Sequence, residues 1–300
     1  MRDTLKRTAE QLLASPPARL LGHRIRRGSC LILAYHNLTR EPVEEGDRSL
    51  HLTFDQFRRQ LDALAAFPVL QLEEALGGTP GNRPAVVITF DDAYAGAVTL
   101  GLPELTARGI PATVFVAPGI LGREAMWWDL LASPSAGVPS LVRDRCLDEF
   151  AGSHDRILEA APGAGWSLDR VRPQYRIASE AELGHALAAG NVAVGVHSWS
   201  HRNLARVPGT ELAAELSRPL EWLRARWSLS TVPWLAYPYG VPPVGASHLI
   251  EAGLAGAFLV SGGWQGADAA GRDRIPRVTI PSGLSLDGFR ARLAGLWPCH

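Results

Sequence analysis

Two adjacent carboxylates, Asp91 and Asp92, directly follow an unbroken run of apolar and β-branched residues at 85–90. Such a run is typical of a strand that is buried on both faces. A strand of this kind delivers the two charges to the rim of an α/β sheet or barrel, where ligands and catalytic groups collect. A single Asp at this place often caps the next helix, so the pair gains meaning only from further polar residues.

Two histidines, His197 and His201, supply such residues at the end of another predicted strand, 191–196. On a helical turn, their i, i+4 spacing puts both imidazoles on one side, close enough to bind one metal ion. The spacing alone is a weak signal, but Asp91 or Asp92 would complete a set of two histidines and one carboxylate. Such a set leaves positions open for water and substrate, and the second aspartate is then free to act as a general base.

Alternating strands and helices must position these groups. Apolar runs predict strands at 30–35, 85–90, 112–117, 191–196, 234–237, 256–260 and 277–280. Helical patterns separate most of them, including segments at 93–108, 180–190, 247–252 and 285–296. This alternation predicts an α/β architecture with parallel strands, either a barrel or a doubly wound sheet. Since the ends of parallel barrel strands share one face, His36 and Tyr239 are expected to join the aspartates and His197 there.

Residues 120–178 interrupt the alternation with several prolines, short helical patterns and Trp127, Trp128 and Trp166. We predict a helical and irregular insertion here, within one domain that spans 30–300. Sugar rings stack on aromatic faces, so these tryptophans could line a substrate groove, although burial in the core is the default for each of them.

The overall composition is that of an ordinary globular protein. Thirty basic residues balance thirty acidic ones, so nothing global indicates a nucleic-acid partner. Three widely spaced cysteines make neither a disulfide framework nor a paired metal motif, which favours a reducing compartment.

The segment 1–29 differs from this average, because it holds seven basic and two acidic residues with leucines between them. Two interpretations fit: a helical segment packed on the domain, or a basic amphipathic segment in peripheral contact with a membrane surface. The sequence shows neither the apolar core of a signal peptide nor a stretch long enough to span a bilayer. We therefore expect a location in the cytoplasm or at the inner face of the membrane.

Three motifs in order resemble those of the polysaccharide deacetylase family, carbohydrate esterase family 4. The first two are Thr89-Phe90-Asp91-Asp92 and His197-Ser198-Trp199-Ser200-His201, and the third is Ala236-Tyr237-Pro238-Tyr239-Gly240. The resemblance implies a distorted (β/α) barrel of about seven parallel strands. It also implies a metal-dependent hydrolase that removes N-acetyl groups from an amino-sugar glycan, such as a bacterial exopolysaccharide or cell-surface saccharide. Zn²⁺ is the expected metal, and Co²⁺, Ni²⁺ or Mn²⁺ also suits these ligands.

By the same resemblance, Asp91 is the general base, and the metal ligands are Asp92, His197 and His201. The backbone N–H of Tyr239 would help to hold the oxyanion, with Pro238 and Trp199 beside the substrate.

Two departures from the family pattern stand out. The common third motif has an Arg, which pairs with the catalytic Asp, where this chain has Ala236; the usual Leu-x-His is also missing near 276–281. We predict that Arg277 replaces the first by pairing with Asp91, although a surface arginine is an equal alternative. For the second, Tyr35-His36 resembles the Tyr-His of exopolysaccharide-type deacetylases, so His36 is our candidate for the general acid. A histidine that merely satisfies a strand end is the alternative.

Two other functions stay open at this point. A carbohydrate-binding relative without activity would explain the missing Arg and His, but it has no need for a base beside a metal site. A deacetylase of a small or lipid-linked N-acetyl sugar would result if the insertion closed off the groove.

Overall fold

The computed structural model describes residues 2–44, 46–77, 83–132, 137–245, 247–265 and 271–296. Within these residues, the chain forms nine strands: β1 Cys30–Tyr35, β2 Asn37–Thr39, β3 His51–Thr53, β4 Ala85–Phe90, β5 Ala112–Val116, β6 Val192–Val196, β7 Thr231–Ala236, β8 Gly256–Phe258 and β9 Val278–Thr279. Seven of them make one parallel sheet in the order β8-β7-β6-β5-β4-β1-β9, which curls into a half-barrel. The predicted distorted barrel is therefore confirmed.

The described residues also form twelve α-helices. They are α1 Arg2–Leu13, α2 Pro16–Ile25, α3 Phe54–Leu64, α4 Leu72–Gly77, α5 Leu102–Ala107, α6 Trp127–Leu131, α7 Ser140–Asp148, α8 His154–Ala160, α9 Glu180–Leu187, α10 Gly209–Trp227, α11 Ser247–Glu251 and α12 Leu286–Leu293. The helices α3 and α9 each begin with a capping residue. Thr53 caps α3 and Ser179 caps α9, each in a capping box that satisfies helix N–H groups.

Alternation along the central strands creates two apolar clusters. On β4, Val86, Ile88 and Phe90 join the outer cluster, which packs against the helices. Val87 points the other way, into the inner cluster that also contains Phe115 of β5. Because successive side chains of a strand point to opposite faces, Thr89 and Asp91 continue the inner row of Val87. The strand thus directs Asp91 towards the inside of the curled sheet.

The helical segment predicted over 93–108 is present, but it is shorter and irregular. Asp92 and Ala93 have φ of 67° and 56°, so the helix begins only after this turn, at residue 95. A π-helical stretch spans Ala97–Gly101 and continues directly into α5. Pro103, which has no N–H to donate, lies just after this π-helical stretch.

The region predicted as an insertion, 120–178, contains α6, α7 and α8, with residues 133–136 outside the described part. It builds a cluster of its own around Trp127, Trp128, Cys146 and Ile157. Trp127 and Trp128 are both buried, as packing in a core predicts, and Trp128 also lines the cavity described below.

The N-terminal helices pack against the last one. Glu10 of α1 is buried and accepts a hydrogen bond from Ser285, the N-cap of α12, at 2.6 Å. Arg26, just beyond α2, donates to the carbonyl of Gly295 at 3.0 Å. None of the described helices is both long and apolar enough to cross a membrane.

Candidate active site

The carboxyl ends of β1, β4, β6 and β7 surround a cavity of about 170 Å³. Side chains that are far apart in sequence meet there, as parallel strands require. The described residues that line it are His36, Asp47, Ser49, Leu50, Asp91, Asp92, Trp128, Arg143, His197, His201, Tyr239, Val260 and Thr279.

Asp92, His197 and His201 form a compact, buried group in this cavity. Oδ1 of Asp92 lies 3.2 Å from Nε2 of His197 and 2.9 Å from Nε2 of His201. Burial alone would raise the pKa of Asp92, but the two imidazoles hold it well below its usual range. All three atoms are donors that bind a divalent transition metal.

The tautomer of His197 supports a cation at this point. Its Nδ1 lies 2.7 Å from the carbonyl oxygen of Ala236, which can only accept a hydrogen bond. The proton of the neutral ring is therefore on Nδ1, and the lone pair on Nε2 faces Oδ1 of Asp92. Within the described structure, that oxygen has no hydrogen-bond partner of good geometry.

Two facing lone pairs repel, so either a proton on Nε2 or a metal ion must lie between them. Burial alone would lower the pKa of His197, but its interaction with Asp92 raises it, which favours the proton in the absence of metal. A divalent cation can replace that proton, so the residues fit a metal ion.

The two histidines do not lie on a helical turn, and that prediction is wrong. Ser198 and His201 have φ of 61° and 59°, so the segment is a loop with two left-handed residues. The backbone N–H of His201 donates to Oγ of Ser198 at 2.9 Å, which closes the loop on itself. The side chains still converge, but through tight loop geometry and not through helical periodicity.

Glu215 of α10 holds this loop from below. Its carboxylate accepts hydrogen bonds from the backbone N–H groups of Trp199 and Ser200, both at 2.9 Å, and from Oγ of Ser200 at 2.5 Å. Glu215 is itself buried, so the three donors satisfy its charge. No motif marks this residue, and only an acidic position on the buried side of α10 hinted at it.

Asp91 has a different partner, Arg277. The guanidinium donates two hydrogen bonds to the carboxylate, at 2.8 Å and 2.6 Å, and both side chains are buried. Burial alone would raise the pKa of Asp91, but the charge of Arg277 outweighs it, with help from His197, so the pKa is lowered. Arg277 thus lies in the interior, against Asp91, and not on the surface.

Arg277 also packs against aromatic rings of the inner cluster. Its guanidinium lies 5.3 Å from the ring centre of Phe115 and 5.8 Å from that of Phe258, and both rings share this cluster with Ala236. Its Nε donates to the carbonyl of Leu259 at 2.9 Å. The residue that directly precedes β9 therefore brings a guanidinium to the inner cluster, to which position 236 of β7 contributes only a methyl group.

His36 lies between β1 and β2 and is half-buried at the cavity wall. Burial lowers its pKa, and the charges of Asp91 and Asp92 only partly offset this. The side chain is thus near both aspartates and accessible from the cavity.

A series of buried hydrogen bonds fixes the position of Trp128 in the cavity wall. The indole Nε1 donates to the hydroxyl of Tyr94 at 2.8 Å, and that hydroxyl donates to Asp129 at 2.8 Å. The other oxygen of Asp129 lies 2.8 Å from Nε2 of His51. Asp129 therefore faces this chain and not the cavity, while the Trp128 ring is held 5.0 Å from the ring of His201. Sequence patterns identified Trp128 but gave no sign of Tyr94 or His51.

The three residues predicted beside the substrate differ in whether they line the cavity. Tyr239 lines the cavity, has φ of 60°, and packs its ring 4.8 Å from that of His201. Pro238 is buried in the same turn, and Trp199 lies under the guanidinium of Arg218 at 3.5 Å. Neither Pro238 nor Trp199 is part of the described lining.

Comparisons with known proteins agree with this architecture. The family described as polysaccharide deacetylase matches residues 78–252. Among curated proteins, no match is found.

Several solved structures share the fold. The deacetylase PplD of Streptococcus pyogenes, in complex with acetate, is 18% identical with a TM-score of 0.60, over 89% of this chain and 99% of that one. IcaB from Ammonifex degensii is 21% identical with a TM-score of 0.58, over 89% and 97%. BC0361, a polysaccharide deacetylase from Bacillus cereus, is 15% identical with a TM-score of 0.61, over 89% and 69%.

Proposed function

Because the chain belongs to the polysaccharide deacetylase family, we propose that it removes N-acetyl groups from an amino-sugar glycan in a metal-dependent hydrolysis. The glycan in this proposal is a bacterial exopolysaccharide or a cell-surface saccharide. One observation carries the proposal: Oδ1 of Asp92 faces two imidazole nitrogens in a cavity where the adjacent Asp91 is held by Arg277. A protein that only binds carbohydrate needs neither arrangement.

Asp92, His197 and His201 would hold a divalent ion, most simply Zn²⁺, which would supply a Lewis acid for the acetyl carbonyl and would lower the pKa of bound water. Asp91 is the base in this proposal and accepts a proton from the attacking water. Its low pKa keeps the carboxylate ionised, and the two bonds from Arg277 fix its orientation.

The carbon–nitrogen bond then breaks, and the products are acetate and a free amino sugar. His36 is the candidate that protonates the leaving nitrogen, because it lies at the cavity wall near both aspartates. Since burial lowers its pKa, it must first take up a proton, and the proton that Asp91 accepts from the attacking water is the source in this proposal. The backbone N–H of Tyr239, in a left-handed turn at the same wall, is the candidate donor to the developing oxyanion.

Residues of the region 120–178 line the cavity and support a second substrate class. Trp128 of α6 and Arg143 of α7 both belong to this lining. In this alternative the substrate is a chain end, or a short or lipid-linked N-acetyl sugar, that these two side chains contact.

Metal content and acetate release test the proposal together. Purified protein should contain a divalent metal by elemental analysis and should release acetate from N-acetylglucosamine oligomers, with activity lost in chelator and restored by metal. Comparing long oligomers with the disaccharide and a lipid-linked N-acetyl sugar separates the two substrate classes. Metal-loaded protein that binds these glycans but releases no acetate from any of them would instead identify a carbohydrate-binding relative.

A further inference from the structure

The helix α2 turns its aliphatic side chains away from the protein. Leu20, Leu21 and Ile25 are 60%, 53% and 57% exposed. At about 100° per residue they fall on one side of the helix, together with the exposed Arg24. Single exposed aliphatic residues are ordinary, but three on one side of a ten-residue helix form a patch.

The opposite side of α2 faces the protein with small and polar residues. A Cβ at Gly22 would collide with the carbonyl oxygen of Ala294, so α2 packs directly against the backbone after α12 at this point. The ring of His23 lies 4.5 Å from that of Phe67, and Arg26 donates to Gly295. An ordinary surface helix buries its apolar side, so α2 is inverted, and these contacts hold it in that orientation.

Positive charge accompanies the exposed apolar side. Arg7 and Leu12 of α1 are both exposed, Leu12 to 67%, and Arg27 is exposed just after α2. In the sequence, seven basic and two acidic residues give the segment 1–29 a formal charge of +5. Because the whole chain is neutral, the remainder carries −5, so the N-terminal segment is the basic part of the sequence. Arg24 and Arg27 are exposed next to the aliphatic side chains of α2.

We propose that this N-terminal outer face, made of Leu20, Leu21, Arg24, Ile25 and Arg27, binds the surface of an anionic lipid bilayer. The aliphatic side chains enter the boundary between headgroups and acyl chains, and the arginines bind lipid phosphates. The same face is a poor contact between two copies of the chain, because each copy brings the same excess of positive charge. The proposal is independent of the deacetylase activity.

Cosedimentation with vesicles tests it on the full chain. The protein should bind phosphatidylcholine vesicles that contain phosphatidylglycerol. It should bind weakly to vesicles of pure phosphatidylcholine, and weakly to the mixed vesicles at high salt. The triple variant Leu20→Ser, Leu21→Ser, Ile25→Ser should lose affinity for the mixed vesicles by about tenfold or more. Its matched control is Leu141→Ser, Leu229→Ser, Ile250→Ser, which removes three exposed aliphatic side chains elsewhere and should bind like the parent.

Charge is tested in the same way. Arg24→Gln with Arg27→Gln should weaken binding by about tenfold, whereas Arg59→Gln with Arg224→Gln, which removes two exposed charges elsewhere, should not. Unchanged melting temperatures would exclude misfolding as the cause. The proposal is overturned by equal binding to neutral vesicles, by equal losses in the control variants, or by self-association through this face without vesicle binding.

Discussion

The two halves of the site place neighbouring carboxylates in opposite surroundings. Asp91 faces Arg277, whose charge is permanent and whose two N–H groups occupy both carboxylate oxygens. Asp92 faces His197 and His201, which can be neutral and then offer lone pairs. The carboxylate of Asp91 already has a permanent cation on both oxygens, whereas that of Asp92 can share a metal ion with two imidazoles. The identity of the partner, more than position in the sequence, thus separates the proposed base from the proposed ligand.

Backbone geometry makes this separation possible. Asp91 still follows β4 and points into the inner cluster, but Asp92 has φ of 67° and leaves the strand direction. One left-handed residue therefore lets consecutive carboxylates reach different partners.

Replacing each carboxylate with its amide is expected to give the largest difference between the two halves of the site. Asp92→Asn should lose both bound metal and activity, because it removes the anionic ligand. Asp91→Asn should keep the metal but lose activity by about 10²–10⁴-fold, the usual contribution of a general base. Elemental analysis and acetate release on the two variants measure this. Equal metal loss in both variants would show that the carboxylates share one role.

His36→Gln is expected to lower kcat by about 10²–10³-fold, since the leaving amine then lacks its proton donor. Metal content should not change, because His36 is outside the group of three ligands. His197→Ala, which removes a ligand, is the reference for complete loss. If His36→Gln keeps normal turnover while His197→Ala has none, another group is the acid.

Arg277→Gln is expected to reduce activity by about a hundredfold, because the base is no longer held in place. It should also destabilise the fold by about 3–5 kcal/mol, because the carboxylate of Asp91 stays buried without its cation. Since Arg277 lowers the pKa of Asp91, its removal should move the acidic limb of the pH–rate profile to higher pH.

Arg277→Lys is the matched control and should recover part of the stability but less of the activity, because an ammonium lacks the planar fork. Partial recovery by Ala236→Arg in the Arg277→Ala background would show that the inner cluster accepts the arginine from either strand. An acidic limb that stays in place in Arg277→Gln would contradict the assignment of Asp91 as the base.

Glu215→Gln is expected to have the smallest effect, on the imidazole half alone. The loop between the two histidines loses a charged acceptor, and metal affinity should fall by about tenfold. Excess metal should restore turnover, and the dissociation constant measures the change. The control is Glu211→Gln on the same helix as Glu215. It breaks only the ion pair between Glu211 and Arg202 and should leave the metal affinity unchanged. A loss of kcat that metal cannot restore would place Glu215 on the side of the base instead.

The sequence predicted the strands better than the loops between them. Buried strands such as β4 read as continuous apolar runs, so their positions followed from composition alone. The loop from His197 to His201 did not, because residues without a Gly signal adopt left-handed backbone and the spacing mimics a helix. Contacts across the chain, such as those of Glu215 and Tyr94, leave no local pattern. The role of Arg277 could be predicted only because the arginine expected at position 236 is replaced by Ala236.

The segment that pairs β9 with the sheet also brings Arg277 to Asp91. The sheet order leaves β8 and β9 at opposite edges, yet Ile275 exchanges hydrogen bonds with Ala257 and Leu259 while Val278 pairs with β1. Arg277 lies between these contacts, 186 residues from the carboxylate that it holds. In chain order, Asp92, His197 and His201 all precede this segment. The group proposed to bind the metal can therefore form during folding before Asp91 has its arginine partner, and we expect activity only after β9 has paired with β1.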